Sequence, residues 1–262
     1  QVSYATFYAP GGAYERGPLM TAFYVNEREL RAPRHRTFSA SAERRLPFDF
    51  YGRAGFTLRT GNRGFTFVNE AEPYGGEGHY YLRNWRTDRF RAVEVSLRRT
   101  FGRFEWWAGY TRSSARSDAA VDYSLENPVF GPQGPGPFPW DTPHRLLTWG
   151  WAPLPQRLLP RWLRFAVRET DAVYLVEYRS GFPFSVVNEE GFMVGLPNSR
   201  RLPAYFSVNL HFERKFRALH YLWAWRFGFN NLTNNGNPNT VNNNIDSPFF
   251  LAYGRGQSRA FT

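Results

Sequence analysis

Hydrophobic and polar residues alternate one by one along most of the chain, which is the pattern of β-strands with two different faces. Phe206, Val208 and Phe212 fall on one face of one such segment, and Trp223 and Trp225 share a face of the next. The alternation predicts strands over residues 36–46, 50–60, 91–101, 104–114, 144–152, 163–180, 204–215 and 220–230. In the long segment 163–180 the alternation is broken, which indicates a β-bulge.

The connections between these strands alternate between short and long. Short connections fall near Pro47, near Gly102, and over 154–161 and 216–219; long ones cover 61–87, 115–141, 181–203 and 231–256. Four long loops are unusual in a soluble sandwich, where most connections have about 4–6 residues. Outer-membrane β-barrels have this asymmetry, and a tilted strand of about 9–11 residues crosses the membrane.

The pattern therefore predicts an all-β fold, an antiparallel up-and-down meander that is a partial segment of a large transmembrane β-barrel. The apolar face of each strand is expected to meet lipid, and the polar face is expected to line a wet lumen. Paired strands suit this environment because no backbone polar group can stay unpaired in hydrocarbon.

Composition changes this picture in three respects. Aromatic residues make up 19% of the 262 residues, which suits either the aromatic girdles of a membrane barrel or a surface that stacks on sugars or bases. The net charge of +11 comes mostly from arginines spread along the chain, and no nucleic-acid-binding module accompanies them, so we expect no nucleic-acid partner. Cysteine is absent, which excludes disulfides and thiolate metal sites.

Catalytic chemistry is not indicated. The histidines lack metal-ligand spacing, and no nucleophile elbow, phosphate loop or dinucleotide turn is present. Glu169, Asp171 and Glu177 share a parity on one predicted strand, where we expect them to pair with lumenal arginines such as Arg98, Arg168 or Arg226. The sequence therefore predicts no enzyme, no catalytic residues, no metal site and no cofactor.

Short motifs in the second half resemble the last strands of TonB-dependent receptors. These are DTPHR at 141–145, SGFPFS at 180–185, and the asparagine-rich stretch with Asn-Pro at 230–238. The likeness is greatest to the large Oar-like receptors that carry a carboxypeptidase-regulatory-like extension, and it covers most of residues 30–262.

The resemblance implies part of a 22-stranded barrel with a plugged lumen in the bacterial cell outer membrane. Residues 1–262 would form its C-terminal strands, without the plug domain and N-terminal extension, and 254–262 would open the last strand. Such receptors take up a bulky nutrient, which here would be a siderophore, oligosaccharide or peptide. The implied partners are outer-membrane lipid, the TonB energy-transducing complex and an unknown substrate.

The candidate ligand-binding residues lie in the long loops and the lumen. They are Trp140, Phe138, Asn188, Asn198, Arg200, Asn234, Asn237, Arg98 and Arg226. The aromatic pair could stack on a sugar, but we favour an interfacial anchor. The alternative for the whole chain is a soluble or cell-surface carbohydrate-binding sandwich, which would bury Trp223 and Trp225 between two layers.

Overall fold

The computed structural model describes residues 2–9, 11–69, 78–119, 134–154, 160–189, 191–254 and 256–262. Its elements are β1 (Val2–Tyr8), β2 (Tyr14–Tyr24), β3 (Arg34–Arg45), a 3-10 turn (Pro47–Asp49), β4 (Phe50–Asn69), β5 (Gly78–Phe101), β6 (Phe104–Ser117), β7 (Gly136–Pro137), β8 (His144–Pro153), α1 (Arg161–Ala166), β9 (Thr170–Arg179), β10 (Pro183–Phe184), β11 (Arg200–Arg201), β12 (Tyr205–Ala218), β13 (Tyr221–Asn230) and β14 (Ala260–Phe261).

A single sheet of 12 strands contains all of these strands except β10 and β11, which form a small sheet of their own. From β3 to β13 each long strand pairs antiparallel with the next, so the predicted up-and-down meander is confirmed. The short strand β14 pairs with the end of β13 through Phe229 and Phe261.

The N-terminal hairpin departs from the meander. β1 and β2 pair antiparallel, and residues 21–24 of β2 then pair parallel with residues 78–81 of β5. Among the described residues, β6 pairs with β5 only from Asp88 onward, so it leaves the edge of the first β5 residues open to β2. Phe23 and Tyr80 pack together at this junction.

The predicted loop 61–87 is wrong in large part. β4 continues to Asn69 and β5 begins at Gly78, so most of this segment is a long hairpin that extends the two strands; residues 70–77 lie outside the described residues. Glycines and polar residues made the segment resemble a loop. Backbone pairing between β4 and β5 nevertheless continues through this segment. The register shifts between Gly61 and Gly64 and between Gly64 and Thr66, which indicates a bulge.

The predicted strand 163–180 is also wrong in its first part. Residues 161–166 form the short helix α1, and the strand begins at Thr170 after a turn in which Glu169 has a φ of 61°. The broken alternation thus marks a change of secondary structure and no bulge. Most of the predicted short connection 154–161 lies outside the described residues.

The other predicted connections are mostly confirmed. The short turns near Pro47, Gly102 and 216–219 join antiparallel neighbours, although β12 itself continues to Ala218. Residues 181–189, 191–203 and 231–254 belong to long connections and have little regular structure. In 115–141, β6 extends to Ser117, β7 pairs with it, and residues 120–133 lie outside the described residues.

The two faces of the sheet differ as predicted. Cross-strand register places Phe56, Val93, Tyr110 and Val208 on one side, which we call the apolar face, and many of its side chains are exposed. The polar face carries the opposite residues of each strand. The accessible surface of 17487 Å² exceeds the roughly 12,000 Å² typical of a compact protein of this mass, because a single open layer covers neither face.

Trp223 and Trp225 decide against the sandwich alternative. They are 47% and 64% exposed on the apolar face of β13. In a two-layered sandwich these indoles would be buried between sheets, and the part of the chain that the structure describes provides no second layer over them. The soluble carbohydrate-binding module is therefore not supported by the fold.

Candidate functional site

Ion pairs cover the polar face, most of them near the short connections. Arg98 lies 2.6 Å from Glu105 on the neighbouring strand, and Arg103 lies 3.2 Å from Asp171. The further pairs are Arg53–Glu43, Arg145–Glu177, Lys215–Glu213 and Arg226–Glu213. Each cation thus has a carboxylate beside it, so the face is wet and charged but close to neutral there.

Two of the predicted site residues, Arg98 and Arg226, belong to this network. The predicted pairing of Asp171 and Glu177 with arginines of this face is confirmed, but their partners are Arg103 and Arg145. Glu169 lies in the turn before β9 and does not share their strand. The prediction that Arg98 and Arg226 contact a ligand stays a prediction.

Three indoles interrupt the charged surface of the polar face. Trp107 and Trp149 face each other across β6 and β8, with ring centroids 6.1 Å apart and planes 20° apart. Trp151 continues the array at 5.8 Å from Trp149. The sequence did not predict this cluster. Alternation shows which residues of one strand share a face, but it does not give the register that brings Trp107 opposite Trp149.

A cleft of about 550 Å³ opens at the other end of the polar face, near the long connections; we call it the rim cleft. Its lining comprises side chains of β3, β4, β5 and β6 and of the loop after β7: His35, Arg59, Arg86, Asp88, Arg89, Phe90, Ala115, Phe138 and Trp140. The rings of Phe138 and Trp140 lie 4.9 Å apart, with Phe138 buried and Trp140 58% exposed. The two aromatic residues predicted to bind ligand therefore share one cleft.

The rim cleft has an excess of positive charge. Arg86 is paired with Asp88 at 3.0 Å and also donates to the carbonyl of Phe65. Arg59 donates only to the hydroxyl of Thr37, at 3.2 Å, and no carboxylate of the described residues neutralises it. A cleft with an unpaired guanidinium beside an exposed indole can accept an anionic group and a flat ring together.

The loop that carries Phe138 and Trp140, which we call the aromatic loop, is held in place by one buried ion pair. Asp141 is 4% exposed, accepts the backbone N–H of Ala115 at 2.7 Å, and binds the guanidinium of Arg201. Arg201 also donates to the carbonyls of Asp141 and Gly181. This pair joins β6, the aromatic loop and β11. Sequence reasoning noticed Asp141 only as the first residue of a motif and did not find its partner.

The predicted asparagines mainly organise the loops. The backbone N–H of Asn198 donates to the hydroxyl of Ser185 and its side-chain amide donates to the carbonyl of Pro137, so Asn198 joins two long connections. Asn237 is buried and bonds both backbone groups of Phe206. Asn188 accepts the N–H of Phe192, and Asn234 accepts that of Arg259.

Arg200 lies apart from these asparagines and from the rim cleft. Its guanidinium lies over the ring of Phe250, 5.6 Å from the centroid. The predicted residues thus divide into one cleft, one charged network and a set of loop-building contacts. Ligand contact by Asn188, Asn198, Arg200, Asn234 and Asn237 remains untested.

Within the described residues, no group of three or more histidine or acidic side chains is placed to hold a metal ion. In the same residues, no helix is both long enough and apolar enough to cross a membrane. At the end of β3, the Arg45 guanidinium hydrogen-bonds Asp49 in the first short connection and holds the pKa of that carboxyl below its ordinary value.

No protein-family model matches this sequence, and the search of curated proteins found no match. Among solved structures, the chain is similar to the ferric-catecholate import receptor Fiu from E. coli K12, in its closed form, with a TM-score of 0.57 and 12% sequence identity. The similarity covers 88% of this chain and 27% of that chain, so the chain spans about a quarter of the length of its structural neighbour.

At this identity the similarity shows the fold alone. The chain has the fold of part of a receptor β-barrel: an open antiparallel sheet that is a segment of a larger barrel wall. The predicted fold class is therefore confirmed.

Proposed function

We propose that this chain is a wall segment of a TonB-dependent receptor in the bacterial outer membrane, which imports a bulky nutrient. The observation that carries the proposal is the apolar face, a broad hydrophobic surface on a sheet with the fold of a receptor barrel. Exposed apolar patches of this extent mark contact with another apolar phase. The charged polar face would line the lumen.

Arginines bracket the apolar face at a distance that suits a bilayer. On β3, Arg36 and Arg44 flank three apolar or small residues of this face, and on β5 Arg91 and Arg99 flank Val93, Val95 and Leu97. Eight residues of strand span about 27 Å. With a strand tilt of about 35–45°, this length covers about 19–22 Å along the bilayer normal. Arginines can extend their guanidinium groups further toward water, so the distance suits the apolar band of about 25 Å on outer-membrane barrels.

The rim cleft is the proposed capture site. Its excess of positive charge and its two aromatic rings favour an anionic, ring-bearing solute over a neutral one. The structural neighbour is an import receptor for a ferric catecholate, and such a complex has this chemistry. The same proposal includes energised import through the TonB complex. It also includes kinship with Oar-like receptors, which the sequence motifs suggest.

Density-gradient fractionation and ligand titration test the proposal together. We expect the protein in the outer-membrane fraction, and we expect ferric tris-catecholate to quench its tryptophan fluorescence saturably in detergent. Arg59→Gln should weaken binding by about tenfold to a hundredfold, since a hydrogen bond to a charged group contributes about 1.5–3 kcal/mol. Trp140→Ala should weaken it by about tenfold through lost ring contact.

The matched control is Arg31→Gln, which removes the same charge from an exposed position before β3 and should leave binding unchanged. Recovery of the protein in a soluble fraction would contradict the membrane assignment. If the protein is found in the membrane but the wild type, Arg59→Gln and Trp140→Ala bind the ligand equally well, the rim cleft is not the capture site.

A further inference from the structure

A second cluster of arginines lies on the apolar face, at the border of its hydrophobic surface nearest the long connections. Register places Arg36 of β3, Arg89 of β5 and Arg116 of β6 in one row, Arg91 one step closer to the short connections, and Arg112 two steps closer, opposite Val93. All five side chains are exposed. Neighbouring strands are about 4.8 Å apart, so the row spans only about 15 Å. We call these five residues the outer arginine cluster.

The cluster places like charges directly opposite each other. Arg89 and Arg116 are cross-strand partners, an arrangement that destabilises a sheet unless an anion lies between them. They line a cleft of about 300 Å³ with Asp118, whose carboxylate accepts the backbone N–H of Thr87 at 2.6 Å. None of the five arginines lies within ion-pair distance of a carboxylate of the described residues. Among the residues that line this cleft, Asp118 is the one acidic residue, and it lies beside two of the five arginines, Arg89 and Arg116.

We propose that the outer arginine cluster binds the phosphate groups of lipid headgroups in the leaflet on the side of the long connections. This inference rests on the proposed membrane function. Guanidinium groups form bidentate hydrogen bonds to phosphate, and each basic residue near an anionic leaflet contributes attraction. The height of the cluster selects lipid over soluble phosphate, because Arg36 and Arg91 lie directly beyond Phe38 and Val93 of the hydrophobic surface and Arg112 lies beside Val93.

Lipid selectivity in reconstituted membranes tests the proposal. The protein is placed in phosphatidylcholine bilayers with a trace of spin-labelled phosphatidic acid or spin-labelled phosphatidylcholine, and the motionally restricted fraction of each label is measured. We expect phosphatidic acid to be preferred about fivefold. The triple substitution Arg36→Gln, Arg91→Gln and Arg116→Gln should reduce the preference to below about twofold. Arg89 is retained because it also borders the rim cleft.

The control variant combines Arg45→Gln, Arg53→Gln and Arg103→Gln, which removes the same charge near the short connections and should keep the preference. Inorganic phosphate at matched ionic strength should not reduce it; if it does, the site binds free phosphate and the lipid assignment is wrong. If both labelled lipids are motionally restricted to the same extent, the protein contacts lipid but the outer arginine cluster does not bind phosphate headgroups. Absence of restricted lipid of either kind refutes the membrane function and this inference together.

Discussion

Arg201 and Asp141 show how single residues position the rim cleft. Asp141 is almost fully buried, and its two carboxylate oxygens are used by the N–H of Ala115 and by Arg201. The motif DTPHR indicated that residues 141–145 precede a strand, but the partner 60 residues later could not be inferred from spacing. A long-range ion pair depends on the tertiary arrangement of two loops, and alternation contains no information about it.

Arg201→Gln should therefore loosen the aromatic loop. A buried carboxylate would lose its cation, which costs about 2 kcal/mol after allowance for the partial exposure of Arg201. We expect faster proteolysis within 134–141 and weaker ferric tris-catecholate binding, with the sheet intact by circular dichroism. Arg259→Gln, at an exposed position, is the control and should match the wild type. Equal protease resistance of Arg201→Gln and wild type would show that the pair does not hold the loop.

At the scale of the elements, the sequence pattern predicted a strand correctly wherever the two faces of that strand differ in polarity. The hairpin of β12 and β13 was predicted nearly to its ends because Phe206 and Val208 alternate with polar residues and the aromatic residues of β13 alternate with smaller or polar ones. The extension of β4 and β5 was missed because its glycines and charges resemble a loop. The helix α1 was missed because its apolar residues continue a strand-like run.

A glycine in β13 tests the packing of that hairpin. A Cβ at Gly228 would lie 2.2 Å from the carbonyl oxygen of Leu210 and 2.6 Å from Cα of His211, and backbone cannot yield as a side chain can. Gly228→Ala should lower the free energy of unfolding by about 2 kcal/mol, measured by urea titration in detergent.

Gly55→Ala is the matched control for Gly228→Ala. Gly55 lies on the polar face of β4, where a Cβ would meet only ordinary contacts at 3.8 Å. Its loss of stability should stay within about 0.5 kcal/mol. Equal effects of the two substitutions would mean that β12 and β13 are not as closely paired as the structure shows.

For the whole molecule, the arrangement of faces decides between a membrane wall and a soluble sheet. The sequence predicted the two faces and the meander, since both follow from local alternation and connection length. The parallel contact of β2 with β5 and the rim cleft arise from non-local pairing, so they required coordinates. The proposed function depends on which phase each face meets.

Site-directed spin labelling along β5 measures this directly, and the chain has no native cysteine to interfere. Single cysteines at Val93, Glu94, Val95, Ser96 and Leu97 would carry the label in reconstituted bilayers. We predict collision with molecular oxygen to be highest at 93, 95 and 97, and collision with an aqueous nickel complex to be highest at 94 and 96. The opposite alternation, or equal access of nickel to all five positions, would contradict a lipid-facing apolar surface.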